Sequence, residues 1–294
     1  MLQTELLPYE IDQPDFSRLR ELPFEEIRQS YTFHDCVLYA LGTGYGMDPV
    51  DRGQLDFVYE RNPKVACTMP SVLSHPGEWP RDIGINYVKM VHLIERIDLY
   101  NPLPVEATVA ARTHGIDFID RGHRKGALLV SGRDIVNVST GVVLARVQQT
   151  ALCRSDGGRG GTSTTLPVPH EIPNRAPDAE CSLATSPQAA LLFRQSADRN
   201  ALHADPDVAA QAGFARPILH GLSTMGVAGH ALVRTLCGYD PTRVRTIECR
   251  FSSPVMPGDT IRVEFWLDGD IASFRAHVGT KVVLDHCWAR IDPA

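Results

Sequence analysis

No two of the seven cysteines (Cys36, Cys67, Cys153, Cys181, Cys237, Cys249 and Cys287) are spaced Cys-x-x-Cys, and their count is odd. Neither a disulfide framework nor a zinc knuckle is expected, and a reducing compartment, the cytoplasm, suits the chain. Positive charge is not in excess. The formal net charge is -6, which argues against a nucleic-acid partner. No apolar run reaches the about 18 residues of a membrane span, so no membrane partner is expected. The opening stretch MLQTELLPYEIDQPDF lacks a basic region followed by an apolar core and does not read as a signal peptide. The last four residues, Ile291-Asp292-Pro293-Ala294, are not a peroxisomal address. What is present is ordinary globular composition, 43% hydrophobic and 22% charged over 294 residues, enough for one large core or two small fused units.

One stretch breaks the pattern. Residues 155–184 open with SDGGRGGTSTT and continue as LPVPHEIPNRAPDAECSLA. Gly, Ser, Thr and Pro dominate without a sustained period, so the stretch reads as a linker between units 1–154 and 185–294. Its glycines do not make a phosphate loop, because the Gly-Lys-Ser/Thr ending is missing.

The flanking units look alike. Thr32–Gly46 and Thr185–Asn200 both read as short amphipathic helices. Leu99–Val109 and Arg250–Val263 each offer an apolar lead-in, a Pro-bounded turn and an alternating strand. Three strand-like runs follow in each half: ATVAARTHGIDFIDRG, ALLVSGRDIVNVS and VVLARVQQTALCR, against TIRVEFWLDG, IASFRAHVG and KVVLDHCWARI. An antiparallel meander is the natural pairing, and an internal duplication follows.

The halves differ in one place. Leu222–Cys237, LSTMGVAGHALVRTLC, is free of proline and predicts a buried helix about 24 Å long, with Gly238 as its C-terminal cap. The matching stretch, Met69–Arg81, carries Pro70, Pro76 and Pro80, and interior prolines cost about 3 kcal/mol each. A long helix is excluded there. A sheet without its covering helix is expected to leave a groove for an apolar ligand.

The chemistry concentrates between Asp198 and Gly221, DRNALHADPDVAAQAGFARPILHG. Asp198 stands five positions before His203, and His220-Gly221 precedes the helix. Asp and His can share proton transfer near neutral pH. Gly221 at a helix start presents a backbone N–H, backed by the helix dipole, to a developing oxyanion. Asn200 reads as a brace for the loop, His220 as support behind the site, and Asp205-Pro206 as the cap of a short helix.

These residues carry a resemblance that covers the whole chain. The order Asp198-Arg199-Asn200-Ala201-Leu202-His203, Asp205-Pro206, Gly213-Phe214, Pro217-Ile218-Leu219-His220-Gly221 resembles the signature of MaoC-type (R)-specific enoyl-CoA hydratases. It is most similar to the two-repeat form found in the hydratase unit of peroxisomal multifunctional enzymes. The first half joins in at Tyr39–Gly44 and at Val91-His92 with the LYNPLP that follows. The chain departs at Ala197, where the family usually has Gly, and at Ala201, where it usually has Pro. The resemblance implies an α+β double hot-dog fold, in which curled antiparallel sheet wraps a long helix. It implies hydration of a 2-enoyl-CoA by Asp198, His203 and Gly221, with no cofactor because the CoA thioester is itself the substrate. By the same resemblance Arg199, Asn200, Ala201 and Leu202 line the ligand with His92, Leu93 and Phe251. Arg121, or alternatively Lys125, in the basic turn Asp120–Gly126 meets the CoA phosphates. A homodimer is implied. A dehydratase on an acyl-carrier-protein or branched dicarboxylic substrate, and a silent acyl-CoA-binding partner, are the alternatives.

Overall fold

The computed structural model describes residues 16–196 and 198–293. The first fifteen residues, on which the reading of the N-terminus falls, lie outside the described residues, as do Ala197 and Ala294. The first half supplies β1 (Ile27–Tyr31), β2 (Met90–Leu99), β3 (Ala107–Ala111), β4 (Thr113–Asp120), β5 (Ala127–Asn137) and β6 (Val143–Cys153). The second supplies β7 (Ala179–Ala184), β8 (Val244–Phe251), β9 (Thr260–Asp268), β10 (Ile271–Val278) and β11 (Lys281–Ile291). All eleven join one antiparallel sheet in the order β1-β3-β5-β6-β2-β8-β11-β10-β9-β7, with β4 also paired to β5. From the β2–β8 seam outwards the two halves read alike: β6, β5, β3, β1 on one side and β11, β10, β9, β7 on the other. At the seam Ile97 lies opposite Ile247, and both are fully buried.

The helices are α1 (Phe33–Gly42), α2 (Arg52–Leu55), α3 (Trp79–Asp82), α4 (Ala189–Phe193), α5 (Pro206–Gln211) and α6 (Gly221–Leu236). None is long and apolar enough to cross a membrane. Every residue from Leu222 to Val233 is buried, as a helix enclosed by sheet on one side and chain on the other demands. Its small residues are what allow that enclosure. A side chain at Gly226 would run into Thr43, and one at Gly229 into Thr68. Ser223 Oγ donates to the carbonyl of Gly42 at 2.9 Å. The first half thus closes directly on the helix of the second. Gly238 follows α6 at φ +59°, the left-handed cap its position suggests.

The first half has no long helix, as its prolines require. Met69–Val72 forms a single 3-10 turn and α3 is four residues long. The expectation of an open groove needs correction, however. Residues 65–74 are all buried and occupy the concavity that a helix would fill. Buried Arg133 fixes this segment by donating to the carbonyls of Pro70 (3.3 Å), Ser71 (2.6 Å) and Leu73 (3.2 Å). An irregular segment inside a protein must have its carbonyls satisfied, and a single guanidinium reaches three of them.

The linker also needs correction. Its last six residues are β7, which pairs with β9 as an outer strand of the second half. Three of its four glycines, all but Gly160, are packed as well. A side chain at Gly157 would strike Gly122 and Gly126, and one at Gly161 the backbone of Phe118. Thr162 exchanges hydrogen bonds with Phe118, N to O at 2.9 Å and Oγ1 from N at 2.8 Å. The helix expected over Thr185–Asn200 is only α4, because the chain leaves the helix after Arg194 to form the turn described below.

Burial of His230 makes stability depend on pH. Its ring is 1% exposed on α6 and stacks on Tyr45 at 3.8 Å. Burial pushes its pKa down to about 4. The folded protein holds this imidazole neutral, whereas the unfolded chain protonates it below about pH 6.5. Its contribution is therefore complete above that pH and is lost as pH falls towards 4, by up to about 3 kcal/mol. Denaturant melts between pH 7 and pH 4 should show the decline, and His230→Phe should lessen it, leaving the share of buried His203 and His220; an equal decline in the variant would refute this source.

Candidate active site

The loop after α4 is built from short side-chain-to-backbone bonds. Asp198 Oδ1 accepts the N–H of Asn200 at 2.9 Å, and Asn200 Oδ1 accepts that of Leu202 at 3.0 Å. Both are Asx turns, for which Asp and Asn suit a chain that must bend sharply. The second caps a 3-10 turn, Ala201–His203. Ala201 fits this turn without the proline usual at its position. Asp205 accepts the N–H groups of Asp207 (2.8 Å) and Val208 (3.4 Å) and starts α5. The bracing role of Asn200 and the capping role of Asp205 follow directly.

The loop ends with His203 buried. Its Nδ1 is 2.9 Å from the carbonyl of Ile218. A carbonyl only accepts, so Nδ1 carries the proton and Nε2 keeps a free lone pair. Burial lowers the pKa of the ring, although the Ile218 bond and the Asp198 charge oppose this. The ring is thus neutral and able to accept a proton near pH 7. His220 stacks on it at 3.8 Å with 27° between planes. Its Nε2 donates to the backbone carbonyl of Asp198 at 3.1 Å. Burial, and then His203 beside it, hold His220 well below the usual histidine range. A neutral His220 both props His203 and ties down the loop that carries Asp198.

Asp198, His203 and His220 bring ligand-type atoms within 4.8 Å of one another. As a metal cage the trio is poor. His203 Nδ1 and His220 Nε2 are committed to carbonyls, which leaves each ring one nitrogen to offer.

Gly221 is the first residue of α6, and no side chain caps this helix. The first backbone N–H groups have no intrahelical acceptor, and the positive end of the dipole faces the same way. A Cβ on Gly221 would lie 3.3 Å from Phe251 Cδ1 and Cε1. Phe251 in turn meets His92 edge-on, ring centres 4.8 Å apart. Asp198, His203, His220, Gly221, Phe251 and His92 therefore form one site across the seam, with residues from both halves. Leu93 is half-buried beside His92; Leu202 is half-buried, and Arg199 and Ala201 are exposed on the loop.

The basic turn is placed elsewhere. It joins β4 to β5, two strands across from β2, at the sheet end that also holds His92. Asp120 accepts N–H groups from Gly122 (2.8 Å), Gly158 (2.7 Å) and Gly160 (2.8 Å), so the Gly-rich stretch clasps the turn. Arg121 Nη2 donates to the Lys125 carbonyl at 2.6 Å, which ties the arginine to its own turn, while Arg124 and Lys125 are exposed.

Sequence reasoning missed three polar residues. Glu95 and Arg133 are buried within the first half. His75 lies close enough to Asp198 and His92 for its charge to respond to both. None belongs to a motif; only the prolines around His75 marked its segment as irregular.

Comparison with known proteins follows the same division of the chain. Residues 29–155 match the MFE-2 hydratase 2 N-terminal domain, and residues 169–286 match the MaoC like domain. The chain is 35% identical over 252 residues to enoyl-CoA hydratase ChsH3 of Mycobacterium tuberculosis, covering 82% of this chain and 85% of that protein. It is 35% identical over 263 residues to the peroxisomal enoyl-CoA hydratase 2 of Arabidopsis thaliana, covering 83% and 84%. The crystal structure of a MaoC-like dehydratase from Phytophthora capsici superimposes with a TM-score of 0.84 at 30% identity, covering 94% of this chain and 99% of that one. A sheet of two like halves around one long helix, matched along both halves, places this chain in the MaoC-like hydratase family of hydro-lyases, in its two-repeat, double hot-dog form.

Proposed function

We propose that the protein adds water to trans-2-enoyl-CoA thioesters to give (3R)-3-hydroxyacyl-CoA. The observation that carries this reading is the geometry at the start of α6. A neutral imidazole with Nε2 free, a carboxylate beside it and uncapped helix N–H groups converge there. Asp198 and His203 hold the water. Its oxygen bonds to Cβ and its proton, relayed through the pair, goes to Cα, so the pair ends in the protonation state in which it began. Charge that moves onto the thioester oxygen meets the N–H of Gly221, and one such donor is worth about 10²–10³ in rate. The oxygen can come close because residue 221 has no side chain. Lys125 and Arg124, with Arg121 behind them, offer cations to the phosphates of CoA.

Dehydration of 3-hydroxyacyl thioesters is the same chemistry in reverse, and the dehydratase relative supports it. The missing long helix of the first half points to medium, long or bulky acyl chains, and the burial of residues 65–74 in that half favours the slimmer of these. The test is loss of enoyl absorbance with a graded series of trans-2-enoyl-CoAs, followed by chiral analysis. Turnover to the (3R) product is expected. A (3S) product, or no loss of absorbance at high enzyme concentration, overturns the proposal.

A further inference from the structure

His92 and Glu95 are three residues apart on β2 and would point to opposite faces of a regular strand. Here they share a face. Pairing of β2 with β6 runs Met90–Cys153, Val91–Leu152 and His92–Ala151, then resumes at Ile94–Thr150 and Glu95–Gln149. Leu93 is the extra residue of a β-bulge. Ala151 and Gln149 lie on one face of β6, so the bulge turns their partners His92 and Glu95 onto one face as well. His92 Nε2 then lies 3.1 Å from Glu95 Oε2 and 3.2 Å from the carbonyl of Ile94.

The carboxylate has little choice of partner. Glu95 is 2% exposed. Among the described residues no Lys or Arg forms an ion pair with it, and His92 alone hydrogen-bonds its side chain. Arg133 feels its charge but forms no ion pair with it, giving its Nε and Nη2 N–H groups to the carbonyls of residues 70, 71 and 73. A buried carboxylate stripped of its one partner is costly, so Glu95 holds the His92 ring firmly. That ring packs edge-on against Phe251, and Phe251 covers Gly221.

We infer that Glu95 is a positioning residue: the bulge at Leu93 lets its carboxylate grip His92, which props Phe251 over the start of α6 where the thioester oxygen is received. The last clause rests on the function proposed above. Glu95 touches no reacting atom; it acts through two rings.

The test is a set of variants assayed with enoyl-CoA. Glu95→Met fills the space without an acceptor and should lower kcat/KM by about tenfold, since small misplacements near a reacting group are expensive. Glu95→Gln keeps an oxygen for His92 and should restore kcat/KM to within about threefold. In a His92→Phe background, Glu95→Met should change kcat/KM no further, because the two residues act as one unit. Should Glu95→Met fail to fold, Glu95→Asp asks the same question, since it keeps the charge but falls short of the ring, and it should lose about threefold or more. A folded Glu95→Met with unchanged kcat/KM overturns the inference, as does a full further loss in the His92→Phe background. Nitrogen-proton NMR of the unsubstituted protein separates this inference from the functional reading. A protected His92 Nε2–H resonance is expected. Its absence from an active protein overturns the grip alone. Its presence in a protein that hydrates no enoyl-CoA overturns the functional reading and the role assigned here with it.

Discussion

Asp198→Asn and His203→Ala should each lower kcat for enoyl-CoA hydration by about 10²–10⁴, the range of a positioned acid or base. Asp198→Asn is the sharper probe. Its Oδ1 can still accept the N–H of Asn200, and the His220 bond to the backbone carbonyl of residue 198 is untouched. The loop should keep its shape and lose only the charge. His203→Ala also gives up the bond to Ile218, so part of its effect is structural and a thermal melt belongs beside the kinetics. Because both residues serve one water, the double variant should be little worse than the poorer single one. Either variant turning over at the unsubstituted rate would remove that residue from the mechanism.

Gly221→Val is the second variant with a large expected effect. A Cβ there lies 3.3 Å from two ring atoms of Phe251, closer than carbon atoms usually pack. The ring must shift, and the valine methyls take the space above the helix N–H groups. Loss of the approach to that donor should lower kcat/KM by about 10²-fold. The helix itself should persist, because its stability comes from the burial of residues 222–233. A melt close to that of the unsubstituted protein together with the kinetic loss separates a blocked site from a broken fold. Unchanged kcat/KM would rule out Gly221 as the oxygen-receiving position.

Much of the site was legible in the sequence because it lies on one short stretch. Asp198, Asn200, His203, Asp205, His220 and Gly221 are ordered by local turns and caps, and local rules read them well. Leu222–Val233 was legible for a different reason, being proline-free and rich in small apolar residues. The seam strands were not. β2 reads MVHLIERIDL, with Arg96 and Asp98 on its outer face bonded to each other at 2.8 and 3.0 Å, and Asp98 also bonded to Thr246 of β8 at 2.9 Å. Charges on one face and Glu95 on the other hide the alternation that marks a strand. β7 was lost among prolines and glycines, since an edge strand of six residues has too little apolar pattern to stand out. The filling of the first half by residues 65–74 depends on Arg133, about sixty positions away in sequence, and no local rule connects them.

The unbroken pairing of β2 with β8 has a consequence for how ligands come and go. Asp198, His203 and Gly221 stand on one side of the seam and His92 on the other, yet the five residue pairs from Ile94–Arg250 to Asp98–Thr246 join the two sides. Enzymes whose sites lie between lobes often open by rotating one lobe about a few backbone torsions. No such axis exists where hydrogen-bonded strands cross the boundary. Under the proposed function, substrate and product are therefore expected to exchange without rotation of one half against the other, over a frame that stays still.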